Sequence, residues 1–173
     1  MNNHPIYPYQ QKIKTYAEIK KIAADLKKQG KRIVMVSGCY DIVHLGHVRF
    51  LSDAKIMNEI LIMSVASDNT IKKLKGKDRP VMREMYRASM LASLIPVDYV
   101  VLDEEEITFP ERINFLKLLS IIKPDYFAVN NNDKSIDYKR SLVAQFGTEL
   151  RIVDVTSTAI TSTTKIIQTL KSL

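Results

Sequence analysis

Ile33-Val-Met-Val-Ser-Gly-Cys-Tyr-Asp-Ile-Val-His-Leu-Gly-His47 is the stretch whose reading decides the fold of this chain. Ile33, Val34, Met35 and Val36 form an unbroken apolar run, as expected of a strand buried on both faces inside a parallel sheet. Gly38 ends that strand, and its missing Cβ lets the backbone approach a ligand closely. His44 and His47 then stand where a helix should begin. Residues three apart share a helix face, so both imidazoles can point the same way. The first turn of such a helix offers free N–H groups and a partial positive charge at the same spot, which favours phosphate.

Working outward, strands alternate with helices. Upstream, Thr15-Tyr-Ala-Glu18 is a capping box opening a helix whose apolar stripe is Tyr16, Ile19, Ala23 and Leu26, with Gly30 as its left-handed stop. Downstream, a helix from Gly46 to Met57 turns Val48, Leu51 and Ala54 inward, and Glu59 to Ala66 is a second buried strand. Asp68 is placed to cap a short helix through Leu74, and Lys75-Gly-Lys-Asp-Arg-Pro80 has the composition of a mobile basic loop. Arg83 to Ile95 reads as a helix with Tyr86, Met90 and Leu94 on one side, and Arg83 and Arg87 on another.

Val97 to Leu102 is a third strand, and Pro110 suits the first turn of a helix carrying Ile113, Leu116 and Leu119 inward. Tyr126 to Val129 is a fourth strand, followed by a turn over Asn130-Asn-Asn-Asp133. After a helix near Ile136 to Phe146, Glu149 to Val155 is a fifth strand. Ser162 then caps a final helix carrying Ile166, Ile167 and Leu170. The pattern predicts an α/β fold, a doubly wound, Rossmann-like five-stranded parallel sheet in a single domain over 15–173, with 1–14 as a loose N-terminal tail. Ligands in such sheets bind beyond the carboxyl ends of the strands, where the strand order switches. The loops at Gly38 to His47, Lys75 to Arg79, Asn130 to Asp133 and Thr156 to Thr164 should therefore share one pocket.

Composition narrows the function. A chain of 173 residues can bury a real core, and no run approaches the ~18 apolar residues of a membrane span. The N-terminus lacks the charge and apolar core of a signal peptide, so the expectation is a cytoplasmic protein without a membrane partner. Cys39 is the only cysteine, which excludes an intrachain disulfide and a thiolate metal cluster. His44 and His47 have no third zinc ligand at sensible spacing, and His4 lies in the tail, so no protein metal site is expected. Much of the +7 formal charge sits in Lys12, Lys14, Lys20, Lys21, Lys27, Lys28, Lys31 and Arg32. Without stacking aromatics or a groove-reading motif, this reads as a solvated helix face rather than a nucleic-acid site, and it suits an enzyme handling polyphosphates.

Gly38-Cys-Tyr-Asp41 with His44-Leu-Gly-His47 resembles the signature of the HxGH nucleotidylyltransferases, in their cytidylyltransferase-like branch. Gln29-Gly-Lys-Arg-Ile33, Ser67-Asp68 and Leu74-Lys-Gly-Lys-Asp-Arg-Pro-Val81 are most similar to the heptose-1-phosphate adenylyltransferase group. The resemblance covers nearly the whole chain from Thr15. It implies attack of an acceptor phosphate on the α-phosphorus of a nucleoside triphosphate, with pyrophosphate leaving and no covalent intermediate. His44 and His47 match the pair that steadies the transition state, and Lys75 would reach the triphosphate or the acceptor phosphate. Gly38, Cys39, Tyr40, Gly46, Arg87, Asn131 and Asp133 would surround the nucleotide.

Thr161-Ser-Thr-Thr-Lys-Ile166 is similar to the family's S-T-T-x-I signature, which places Ser162, Thr163 and Thr164 at the phosphates. Asp41, Lys77 and Arg79 would meet the acceptor, Mg²⁺ would enter with the triphosphate, and relatives often form homodimers. Several positions depart from the family. Asn131 and Asn132 replace glycines, Ser157 stands where glycerol-phosphate cytidylyltransferases carry arginine, Ile160 replaces a small residue and Met85 an acidic one. These departures leave ATP with a heptose phosphate as the leading pair and CTP with glycerol 3-phosphate as its rival. A nucleotide-binding sensor that has lost turnover is the alternative outside the enzymes.

Overall fold

The computed structural model describes residues 7–105, 107, 115–155 and 163–172. Its sheet is parallel throughout and has six strands: β1 (Ile13–Lys14), β2 (Arg32–Gly38), β3 (Glu59–Val65), β4 (Tyr99–Leu102), β5 (Tyr126–Asn130) and β6 (Glu149–Val153), in the order β1-β4-β3-β2-β5-β6. The expected count of five is corrected by β1, which lies in the stretch read as a tail. Ile13 and Lys14 pair with Val100 and Val101, after a 3-10 turn over Pro8–Lys12. A two-residue edge strand carries no alternation to read, which is why periodicity missed it. Lys12 secures it by donating from Nζ to the carbonyls of Leu94 and Val97, at 3.3 and 2.7 Å.

β2 lies at the centre. It pairs with β3 along its whole length and with β5 through Val34 and Met35. The chain runs outward from β2 through β3 to β4, then returns to β5 on the other side, so the strand order reverses between β2 and β5. Alternate residues of a strand face opposite sides, and the core divides accordingly. Ile33, Met35, Ile62, Phe127 and Leu150 pack beneath α1 (Tyr16–Lys28) and α5 (Leu116–Ile122). Val34, Val36, Leu61, Met63 and Ala128 pack against α2 (Leu45–Ala54) and α4 (Glu84–Ala92). Two covered faces explain why the strands read as continuous apolar runs rather than alternating ones.

The remaining helices are α3 (Asp68–Lys75), α6 (Ile136–Ala144) and α7 (Thr163–Lys171). The Thr15–Glu18 capping box forms as expected, and Gly30 ends the turn after α1 at φ +68°. Other boundaries shift. α2 ends at Ala54 rather than Met57, and Ser67, not Asp68, caps α3 by accepting from the Thr70 amide. α4 buries Arg87, Ala88, Leu91 and Ala92, whereas Tyr86 and Met90 are exposed. The apolar stripe chosen from sequence is therefore the outer face, because a buried arginine disguises the inner one. The helix start read at Pro110 and the cap at Ser162 lie outside the described residues.

Candidate active site

At the reversal point, β2 ends in Gly38 and the chain turns through Cys39 and Tyr40 into α2. Tyr40 sits at φ +48°, in the left-handed region that bulky residues rarely occupy. Its ring is buried and folds back over Gly38: a Cβ there would lie 2.8 Å from Tyr40 Cε2. Glycine is required here to admit the tyrosine ring, a constraint that sequence alone assigns to a ligand. The phenol also stands edge-on to His47, with ring centroids 5.1 Å apart, and so backs the imidazole from the protein side.

His44 is the N-cap residue of α2. Its backbone is extended and its carbonyl accepts from the amides of His47 and Val48, while its side chain makes no capping bond. The imidazole is thus left for the cleft. The rings of His44 and His47 stack with centroids 3.9 Å apart and planes 23° from parallel, on the shared face expected of the spacing. Nδ1 of each is buried without a hydrogen-bond partner among the described residues. Burial lowers the pKa of both. In His47 the neighbouring His44 and Lys75 add to it and bring the value down to about 4. Two neutral rings can stack at this distance, whereas two imidazolium ions would repel.

These groups line a cleft of about 620 Å³, within the size range of small-molecule sites. Gly38, Cys39, Tyr40, Gly46 and Lys75 line it as expected. Lys75 is the last residue of α3, and Gly76 at φ +95° turns the chain away after it. Thr163, the first residue of α7, lines the opposite rim, and its Oγ1 donates to the Ile42 carbonyl at 3.2 Å, joining the start of α7 to the loop before α2. Thr164 is exposed and does not line the cleft, and Ser162 lies outside the described residues.

Three of the expected site residues are engaged in long-range pairing. Asp41 is buried and accepts from Arg79 Nε and from the amides of Val81 and Met82, so it clamps the segment after α3. Asp41, which lines the cleft, and Arg79, both expected at the acceptor, pair with one another, and Lys77 is exposed and does not line the cleft. Arg87, expected at the nucleotide, is fully buried behind the site. It donates to the carbonyls of Cys39, Ala66 and Met82 and to Asp68 Oδ1, over 2.6–3.0 Å. This rigid fork joins the loops after β2 and β3 to the entry of α4.

The β5–α6 wall is also rearranged. Asn131 turns away, donating from Nδ2 to Asp154, while Asn130 and Asn132 face the cleft. Asp133 lines it but accepts from the Ser135 amide and hydroxyl and from Lys139 Nζ, and these bonds outweigh burial to hold its pKa below the usual carboxylate value. Lys139, Phe50, Ser37 and Val155 are lining residues that the sequence reading missed. Only Lys139 left a trace, as a cation in the second turn of the helix following a loop at the sheet's carboxyl edge.

Both cleft carboxylates are thus committed, and no cluster of three or more metal-ligating side chains occurs among the described residues. A Mg²⁺ ion entering with a triphosphate would need no such cluster. No described helix is long and apolar enough to cross a membrane.

A parallel sheet with a histidine pair and a helix N-terminus at its reversal point marks the phosphate-binding cleft of a Rossmann-like protein. The chain belongs to the cytidylyltransferase-like family, whose model matches residues 35–169. It is 41% identical over 165 residues to the bifunctional protein HldE of a Nitratiruptor species and 38% identical over 165 residues to that of Campylobacter jejuni subsp. doylei. The matched segments cover 95% and 94% of this chain but only 33% and 32% of those proteins, so the chain spans about a third of these relatives. The lipopolysaccharide core biosynthesis protein from Thermoplasma volcanium superposes with a TM-score of 0.57 at 26% identity, over 72% of this chain and 96% of that one. Pantoate-beta-alanine ligase from Francisella tularensis, at 18% identity and a TM-score of 0.56 over 93% of this chain and 78% of its own, shares the fold.

Proposed function

We propose that the protein transfers AMP from ATP to a heptose 1-phosphate and releases pyrophosphate. An oxygen of the sugar phosphate attacks the α-phosphorus, and the bond from that phosphorus to the oxygen bridging it to the β-phosphate breaks. The observation that carries this reading is the stacked pair His44 and His47, poised at the start of α2 with buried, unpartnered nitrogens. Such transfer asks the protein mainly for position and charge stabilisation. Neutral imidazole N–H groups and the free amides of the first turn of α2, at Gly46, can donate to phosphoryl oxygens. Lys75 adds positive charge on the same side. Mg²⁺ bound with the triphosphate would supply further positive charge against the phosphates. The sugar assignment is supported by the HldE relatives and by the lipopolysaccharide role of the Thermoplasma protein.

The test is pyrophosphate release with Mg²⁺ across ATP, CTP, GTP and UTP against heptose, glycerol and ethanolamine phosphates, with no-acceptor controls. Turnover with ATP and heptose 1-phosphate is expected. Turnover confined to CTP and glycerol 3-phosphate would replace this reading with a cytidylyltransferase. Nucleotide binding without release from any pair would point to a sensor.

A further inference from the structure

We infer that Tyr40 positions His47: the phenol ring and the stacked face of His44 clamp the imidazole, so that it meets a phosphoryl oxygen in one fixed orientation. This rests on the nucleotidyl-transfer reading above, which gives His47 its target. A working histidine is ordinarily oriented by a hydrogen bond from one ring nitrogen to a carboxylate or a carbonyl. Nδ1 of His47 makes no such bond, being buried and unpartnered among the described residues. Rings take the place of the acceptor. His44 is stacked on the imidazole with centroids 3.9 Å apart. Tyr40 meets it at 5.1 Å with the planes 68° apart, within the T-shaped range that aromatic pairs prefer.

A clamp works only if its jaws are fixed, and Tyr40 is fixed from several directions. Its side chain packs into the core with Val34, Val36 and Leu51. Its ring lies over Gly38, where an added Cβ would also come within 3.0 Å of Cζ, so the end of β2 backs it. Its backbone stands at φ +48°, a conformation that costs a bulky residue free energy and persists where the surrounding structure enforces it. The same ring shields the protein side of the imidazole from water. Around His47 stand His44 on its own helix, Lys75 at the end of α3, and Cys39 and Tyr40 in the turn before α2. Of the cleft carboxylates, Asp41 is paired with Arg79 and Asp133 with Lys139, so neither is free to favour an imidazolium. Burial, with His44 and Lys75 adding to it, keeps His47 neutral with a pKa of about 4. The phenol is neutral too, since burial raises its pKa. Without the ring, water would reach the imidazole, and both its orientation and its depressed pKa would relax.

The experiment follows the ring-nitrogen signals of His47 by NMR as pH is lowered, in wild type, Tyr40→Phe, Tyr40→Leu and Tyr40→Met. His47→Gln assigns the signal, and thermal melting verifies folding. Pyrophosphate release with the productive nucleotide and acceptor is measured on the same proteins. In wild type the imidazole should titrate well below 6.5. Either ringless variant should move that titration toward 6.5 and carry the acid limb of kcat up with it. At neutral pH, kcat should fall about tenfold with little change in the KM for nucleotide, as expected when a transition-state donor is loosened rather than removed. Tyr40→Phe keeps the ring and should restore most of both losses. A folded ringless variant whose His47 titration and acid limb stay at wild-type values overturns the inference. So does a Tyr40→Phe whose His47 titrates near 6.5, since the role would then belong to the hydroxyl; this arm decides even where neither ringless variant folds. Wild-type turnover without the shift in the ringless variants leaves the functional reading standing and the inference fallen. The expected shift without pyrophosphate release from any of the proteins leaves the clamp in place and removes the reaction it serves.

Discussion

Two residues that a motif reader would group together do opposite work here. His47 faces the cleft with an unpartnered buried nitrogen, whereas Arg87 faces the protein and donates to three carbonyls and a carboxylate. Removing His47 should therefore affect turnover, and removing Arg87 should affect folding. His47→Ala is expected to lower the rate of pyrophosphate release by ~10²–10³, the effect of losing one positioned donor, with little change in melting temperature. A rate within a few-fold of wild type would remove His47 from the chemistry. Arg87→Met leaves buried carbonyls and Asp68 without their donor and should cost about 3–5 kcal/mol in urea unfolding. Unchanged stability with weakened nucleotide binding would return Arg87 to the nucleotide. No local pattern separates these residues, since burial decides the role of each.

At the scale of elements, β2, its turn and the start of α2 were legible because their signals are local: a buried run, a glycine, and two histidines at helical spacing. β1 was not, because a two-residue edge strand exists only through its partner. Its contribution is nonetheless measurable. Tyr9 and Ile13 pack against the core beneath α4, and Lys12 satisfies two carbonyls at the end of that helix. Deleting residues 1–14 should lower the melting temperature by roughly 5 °C or more, given that a couple of kcal/mol shifts a domain of this size by that much. An unchanged midpoint would restore the tail reading. The face of α4 was misread for a related reason: an arginine at an inward position is a core residue only when the surrounding loops supply its acceptors.

For the whole molecule, two groups shifted in opposite directions shape stability against acid. Burial, with His44 and Lys75 adding to it, brings His47 down to about 4, below its ordinary 6.5. The stability this gives is present above pH 6.5 and is lost as pH falls through about 4. Asp103 is raised from 3.8 to about 6, because burial outweighs the bonds it accepts from Tyr16, Ser64 and the Glu105 amide. Its contribution is present below pH 3.8 and is lost as pH rises through about 6. Between pH 4 and 6 the two therefore oppose, and Asp103 masks part of the acid sensitivity of His47. Asp103→Asn should steepen the loss of unfolding free energy as pH is lowered from 6 to 4. Parallel curves for variant and wild type would show that Asp103 does not titrate in that window.

Sequence by itself determined the alternation of strands and helices, the central strand, the position of the cleft at its end and the two histidines on one helix face. These follow from side-chain periodicity and from backbone preferences acting within a few residues. Only the tertiary structure decided that Asp41 and Arg79 neutralise each other, that Arg87 lies behind the site, and that Asn130, Asn132 and Lys139 form the far wall in place of Asn131. A charged side chain is equally at home in solvent, in a site or in a buried fork. The choice depends on which acceptors and apolar neighbours the fold brings beside it from distant parts of the chain.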